Sequence, residues 1–446
     1  MKKSVVALLV MIPALCVAAE PTADRGPLHL SLKRAVELAL SPEGSTRIQL
    51  AQELVRQAKA RSEQARAALL PDLEGYVGEQ NMVRNLQNQG INEIHLPFGL
   101  TLPSQVGPYS VFDVRATATQ SILDLSSIRR LQASHRAIDA SKEELSNADD
   151  QVASVVAKAY LEALRSEAQL SAVQADVALA EAVLKQAQNQ KTAGTGTGIE
   201  VTRAKVQLSH DKQRLLVAEN DRRRARLQLL RAMGLRLDTE LELSDQLTYS
   251  PVDTTSFEQA KQEADQQRAD LKAQESRQET ARLNASAAKL ERVPTLAAYA
   301  DYGTTGPGYY AALPTRTYGL YLKVPVFDGF RRDARREEVQ SLLRQERVRT
   351  DDMKEQIDLE IQLALDGLHS AEEQLAVAED GLKLAEAELT QARRRYEAGV
   401  SNGLEVTDAQ TRLARARQNR IAALFNHNLA RLDLGQATGT IRRMLE

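Results

Sequence analysis

Three carboxylates carry most of the chemistry this sequence offers: Glu200, Glu405 and Asp408. Glu200 follows the stretch Ala193-Gly194-Thr195-Gly196-Thr197-Gly198-Ile199. Glu405 follows Ala398-Gly399-Val400-Ser401-Asn402-Gly403-Leu404. Val-Thr succeeds the acid both times, so one short pattern occurs twice. Glu405 and Asp408 stand three apart, on one face of a helix. Repeated around an axis, such acids make a charged ring that favours cations, as in selective pores. Equally, carboxylates in the first turn of a helix simply complement its dipole. Spacing alone leaves both readings open.

Little else in the chain points to reactivity. His29, His95, His135, His210, His369 and His427 are scattered without metal-ligand spacing. Cys16 is the only cysteine, and no phosphate loop, nucleophile elbow or HExxH motif occurs. No catalytic residue, metal or cofactor is therefore expected. Lys and Arg number 58 against 60 Asp and Glu, with no basic stripe, so nucleic acid is not an expected partner.

The elements that hold the acids are long helices. Aromatics make up only 4% and Trp is absent, which starves a large globular core; Ala, Leu, Gln, Glu and Arg dominate, as in coiled coils. A first long helix is expected over 126–191, with Leu131, Ile138, Leu145, Val152, Ala159, Ser166, Val173, Ala180 and Ala187 every seven residues. A second has a cleaner seam: Ile361, Leu368, Leu375, Leu382, Leu389 and Tyr396, flanked by Ile357, Ala364, Ala371, Ala378, Ala385 and Ala392. Strict sevens over this length mean left-handed coiled-coil packing, and at 1.5 Å per residue the first helix is about 100 Å long. Each long helix ends at a Gly turn and a shorter helix returns, over 199–232 and 404–434. Gly194, Gly198, Gly399 and Gly403 would supply the positive φ of a tight reversal, or simply end the helices.

Between the helices the period changes to two. Phe112, Val114, Ala116 and Ala118 alternate with Asp113, Arg115, Thr117 and Thr119, a strand with one apolar face. Leu73, Gly75 and Val77 suggest its partner, and 81–108 reads as a polar loop. Thr295–Tyr302 and Arg316–Val326 repeat the motif. Eight of the 11 tyrosines (76, 109, 299, 302, 309, 310, 318 and 321) lie in these regions, as in the aromatic belts of membrane barrels. A small soluble sheet is the plainer alternative. The N-terminus favours the membrane: Met1-Lys2-Lys3, an apolar run from Val5 to Val17 and Ala18-Ala19 make residues 1–19 a signal peptide. Leu15 precedes Cys16 where lipid attachment needs a small residue, so lipidation is not expected. In lipid an open sheet edge is untenable, and four strands cannot close, so the chain must associate: two copies give eight strands, three give twelve.

The whole divides into two repeats: 20–234, with strands in 71–120 and a hairpin over 126–232, and 256–446, with strands in 294–327 and a hairpin over 329–434. Residues 235–255 join them as a linker with little pattern. Ser31 before Leu32–Leu40 is a candidate helix cap, and Ser256–Asp265 echoes Ser31–Leu40.

Motifs in this order resemble the TolC-like outer-membrane efflux proteins. They are Leu30-Ser31-Leu32-x-x-Ala35-Val36-x-Leu38-Ala39, Ala67-Ala68-Leu69-Leu70-Pro71-x-Leu73, Val324-Pro325-Val326-Phe327-Asp328-Gly329, Tyr396-Glu397-Ala398-Gly399-Val400 and Glu405-Val406-x-Asp408-Ala409. The resemblance covers nearly the whole chain after the signal. It implies a mixed α/β membrane protein: a homotrimer whose four strands per chain close a 12-stranded outer-membrane barrel above a periplasmic α-barrel, with 235–255 in an equatorial band. It implies a passive exit duct in the bacterial outer membrane, serving tripartite efflux or type I secretion. Its partners would be outer-membrane lipid, a periplasmic adaptor protein and an inner-membrane transporter. The Gly turns would be periplasmic tips where the adaptor docks. Glu200, Glu405 and Asp408 would line the constriction there, with Tyr396 matching a gate tyrosine. Ser401 and Asn402 stand where some relatives carry an arginine latch. An adaptor is the alternative reading, but adaptors carry one hairpin between β-rich domains, whereas this chain carries two.

Overall fold

The structure, a computed structural model, describes residues 28–41, 44–90, 94–95, 101–102, 104–251 and 255–445. The expected signal peptide, residues 1–19, lies outside the described residues. The elements run β1 (Leu28–Leu30), α1 (Leu32–Leu40), α2 (Thr46–Ala67), β2 (Asp72–Asn85), β3 (Ile94–His95), β4 (Thr101–Leu102), β5 (Gln105–Leu123), α3 (Leu125–Thr192) and α4 (Gly198–Ala232). They continue with β6 (Leu241–Leu243), α5 (Phe257–Gln267), α6 (Ala269–Leu290), β7 (Thr295–Gly306), β8 (Leu313–Lys323), α7 (Arg331–Glu397), α8 (Gly403–Ala437) and α9 (Ile441–Leu445).

The helices form a row of struts. α2 and α4 lie along α3; α6 and α8 fill the space between α3 and α7. Two short helices in succession thus run beside each long one. Heptad positions bury as coiled-coil seams require: Val152, Val173, Ala180 and Ala187 on α3, and Ile361, Leu368, Leu375, Leu389 and Tyr396 on α7. Local signals set the ends. Ser31 Oγ accepts the Arg34 N–H, and Asp124 accepts the N–H groups of Ser126 and Ser127. α7 starts at Arg331, later than Asp328-Gly329 suggests, because Gly329 and Phe330 both take left-handed φ, 68° and 64°. No described helix is long and apolar enough to cross a membrane.

The sheet is antiparallel in the order β2-β5-β7-β8. Its register puts Leu73 beside Ala118 and Val77 beside Val114, Ala118 beside Ala300, and Leu296 and Ala298 beside Leu322 and Leu320. These share one apolar face. The opposite face holds Glu74, Asp113, Arg115, Tyr299, Asp301, Thr317 and Lys323, and there Arg115 lies 3.6 Å from Asp301. Edge strands β2 and β8 expose Leu73, Val77, Leu320 and Leu322. The expected loop 81–108 is shorter than its polarity suggests: β2 runs on to Asn85 and β5 begins at Gln105. Paired backbone, not side-chain apolarity, sustains the strands there.

A second correction concerns 235–255. Leu241–Leu243 forms a strand parallel to Leu28–Leu30. Three residues are too few to show a period, and the partner lies far away in sequence. Around this pair sits the largest apolar core, including Leu30, Val36, Val156, Tyr160, Leu229, Met233 and Ile441. The Tyr160 hydroxyl lies 2.8 Å from the Leu30 carbonyl and 2.9 Å from Asp245 Oδ2. Burial, then Asp245, pushes its phenol upward.

Candidate functional site

The two hairpin turns lie together at one end of the struts. At the first, Gly194 takes φ 74°, and the N–H groups of Thr195 and Gly196 both reach the Gln190 carbonyl at 3.0 Å. At the second, Gly399 takes φ 71° and the Val400 N–H reaches Arg395 O at 3.0 Å. Open space surrounds both glycines, so backbone conformation alone requires them. Gly198 and Gly403 behave otherwise. They are the first residues of α4 and α8 and take no left-handed φ, which corrects their reading as turn glycines. A Cβ at Gly403 would make ordinary contact, 3.7 Å from Glu200 Cγ and 3.8 Å from Tyr396 Cε2.

Glu200 bridges the turns. One carboxylate oxygen accepts the Thr197 N–H at 3.1 Å, and the other accepts the Gly403 N–H at 3.4 Å. Tyr396 sits beside it, only 5% exposed, packed with Val183, Ala392, Val406 and Ala409. Burial first, then the Glu200 charge, raises its phenol above the ordinary range. The two other acids stand apart from this pair. Glu405 Oε1 lies 3.0 Å from Arg395 Nε. Asp408, one turn further along α8, is exposed and has no ion-pair partner among the described residues.

Two contributors escape sequence reasoning. Arg395 is one; its signal is the run Arg393-Arg394-Arg395 just before the turn. The other lies above the tip, where buried Asp176 of α3 meets Arg417 of α8 at 2.8 Å and Arg214 of α4 at 3.4 Å. Arg214 also reaches Asp211 at 3.2 Å. Burial raises the Asp176 carboxyl, and the two arginines oppose that rise. An acid between the seam residues Val173 and Ala180 is the visible hint. This cluster ties the first hairpin to the second. The arrangement positions charge and holds helices together; among the described residues no group of His, Cys, Asp or Glu could hold a metal ion.

Paired helical hairpins hung from an amphipathic membrane sheet define a class, the subunit of an outer-membrane channel with a helical periplasmic extension. The model of the outer membrane efflux protein family matches residues 40–235 and 260–440, and the chain belongs to that family. Among curated relatives, it is 25% identical over 402 residues to the pyoverdine export outer membrane protein OpmQ of Pseudomonas putida, covering 86% of this chain and 81% of that one. It is 26% identical over 383 residues to the toluene efflux pump outer membrane protein TtgF of the same species, covering 78% and 74%. The fold matches the outer-membrane channel OprN with TM-score 0.78 at 17% identity, over 92% and 90% of the two chains. It matches the open state of the MtrE channel of Neisseria gonorrhoeae with TM-score 0.77 at 18% identity, over 92% and 90%. The chain is thus an efflux channel component of the outer membrane and not an enzyme. The adaptor reading falls with this finding.

Proposed function

We propose that three copies associate into one exit duct, and that the unpaired edges of the sheet compel it. β2 and β8 present a row of backbone groups that only water or another strand can satisfy, and lipid supplies neither. Three four-stranded sheets joined edge to edge make a closed barrel of twelve. The helices support the same side-by-side contact. α4 exposes Ile199 and Val206, and α7 exposes Leu363, Val377 and Leu384, all at heptad spacing. These stripes lie on opposite flanks of the strut row, where α7 of one copy meets α4 of the next.

In this duct the repeats 20–234 and 256–446, joined through 235–255, supply equivalent pairs of struts. Cargo passes down the lumen from an inner-membrane transporter. A periplasmic adaptor docks on the tips around Gly194, Gly198, Gly399 and Gly403. Glu200 and Tyr396 hold the tips together, and Glu405 and Asp408 form the charged constriction. The mass of the detergent-solubilised protein tests the assembly: three chains are expected, and a stable monomer would overturn it.

A further inference from the structure

We infer that the duct's neck, where sheet meets helices, carries a lumenal binding site for amphipathic organic anions. The inference rests on the channel reading above. The apolar face of the sheet, with Leu296 paired to Leu322, must meet lipid. Thr295 and Lys323, paired with each other, therefore face the lumen. They line a cavity of about 380 Å³ whose wall also carries Arg130, Arg331, Arg332 and Arg335.

Charge there is unbalanced. The cavity's acids are Asp124 and Glu291. Asp124 is committed to the N–H groups that open α3. Glu291 is shared by Arg130 and Arg335, and Arg332 is held by Asp328 at 3.1 Å. Within one copy, Lys323 and Arg331 have no carboxylate partner among the described residues. Two uncommitted cations beside three held arginines suit phosphate or carboxylate.

A second cavity, of about 510 Å³ between α3, α6 and α7, shares Arg130, Glu291 and Arg335 with the first. Its wall includes Ala137, Ala140, Ala288, Val339 and Leu342. A charged compartment therefore adjoins a more apolar one, whose wall also holds the Arg277–Glu144 pair and Glu346. A ligand with an anionic head and a hydrocarbon body fits both, and three copies place three such sites around the neck.

Hexyl phosphate tests this, added from the extracellular side to the trimer conducting in planar bilayers. Current should be blocked, and block should weaken about tenfold in K323Q/R331Q. The charge-retaining K323R/R331K should keep it, and hexyltrimethylammonium should not compete. Equal block of wild type and K323Q/R331Q would overturn the inference, as would equal block by the ammonium compound or loss of block in K323R/R331K. A wild-type protein that inserts no channel would sink the duct reading itself; a conducting channel indifferent to hexyl phosphate sinks this site alone.

Discussion

The Glu200 carboxylate accepts the backbone N–H of Gly403 across 3.4 Å, fastening the start of one return helix to the start of the other. It also caps its own helix through Thr197. One side chain thereby serves local folding and the pairing of the hairpins. The amide of Gln keeps the shape but has a single oxygen, so it accepts from only one of the two N–H groups, through a neutral bond worth roughly half a charged one. E200Q should leave assembly intact and raise single-channel conductance in planar bilayers. Unchanged conductance would show that the tips are held elsewhere.

Charge at the constriction should depend unequally on its two acids. Arg395 half-cancels Glu405, whereas Asp408 has no such partner. D408N should therefore reduce cation selectivity, read as the reversal potential in a salt gradient, more than E405Q does. R395A should increase it. Equal effects of D408N and E405Q would remove Arg395 from the account.

The glycines should divide by backbone, not by motif. Gly399 needs left-handed φ, which costs a β-branched residue roughly 1–2 kcal/mol and Asn less. G399V should abolish export while trimers still assemble, and G399N should retain activity. G198A should be tolerated, since Gly198 opens a helix at ordinary φ and Ala is the better helix former. Drug-resistance assays on the three variants separate these outcomes.

Asp176 should matter to stability more than any exposed ion pair. Its removal strands Arg417 within the helix seams and leaves Arg214 with Asp211 alone. D176A should cost about 2–3 kcal/mol, measured as a lower unfolding temperature. A double-mutant cycle with R417A should show strong coupling; additive effects would mean that the two do not hold the hairpins together.

Acid should weaken the waist through His427. The ring is fully buried on α8, neither nitrogen has a hydrogen-bond partner, and Tyr249 packs on it at 4.8 Å. Burial, chiefly, lowers its affinity for a proton below the ordinary 6.5; Glu372 opposes and Arg431 reinforces that shift. The unfolded chain therefore binds the proton more readily than the folded one, and stability falls as pH drops below about 6.5. H427F should keep the packing and lose this part of the pH dependence in thermal melts between pH 5 and 7. An unaltered pH profile would count against it.

Much of this fold was legible because its signals are local and repeated. Leu375, Leu382, Leu389 and Tyr396 announce a seam, Ser31 announces a helix start, and Phe112 to Ala118 announces a face. The two largest misses join residues distant in sequence. No local pattern pairs Leu28–Leu30 with Leu241–Leu243, and none aims Glu200 at a glycine in the other repeat. The site was legible as residue types near the turns. Its division into half-buried Glu200 beside buried Tyr396, and an ion-paired acid, Glu405 with Arg395, needed the fold.

All four long strands meet their helices at the same rim of the sheet, beside Asp72, Leu123, Thr295 and Lys323. Among the described residues, the far rim carries the crossings between Asn85 and Gln105 and between Gly306 and Leu313. In the proposed duct that rim faces the cell exterior, so these two tracts supply the surface the channel presents outside the cell.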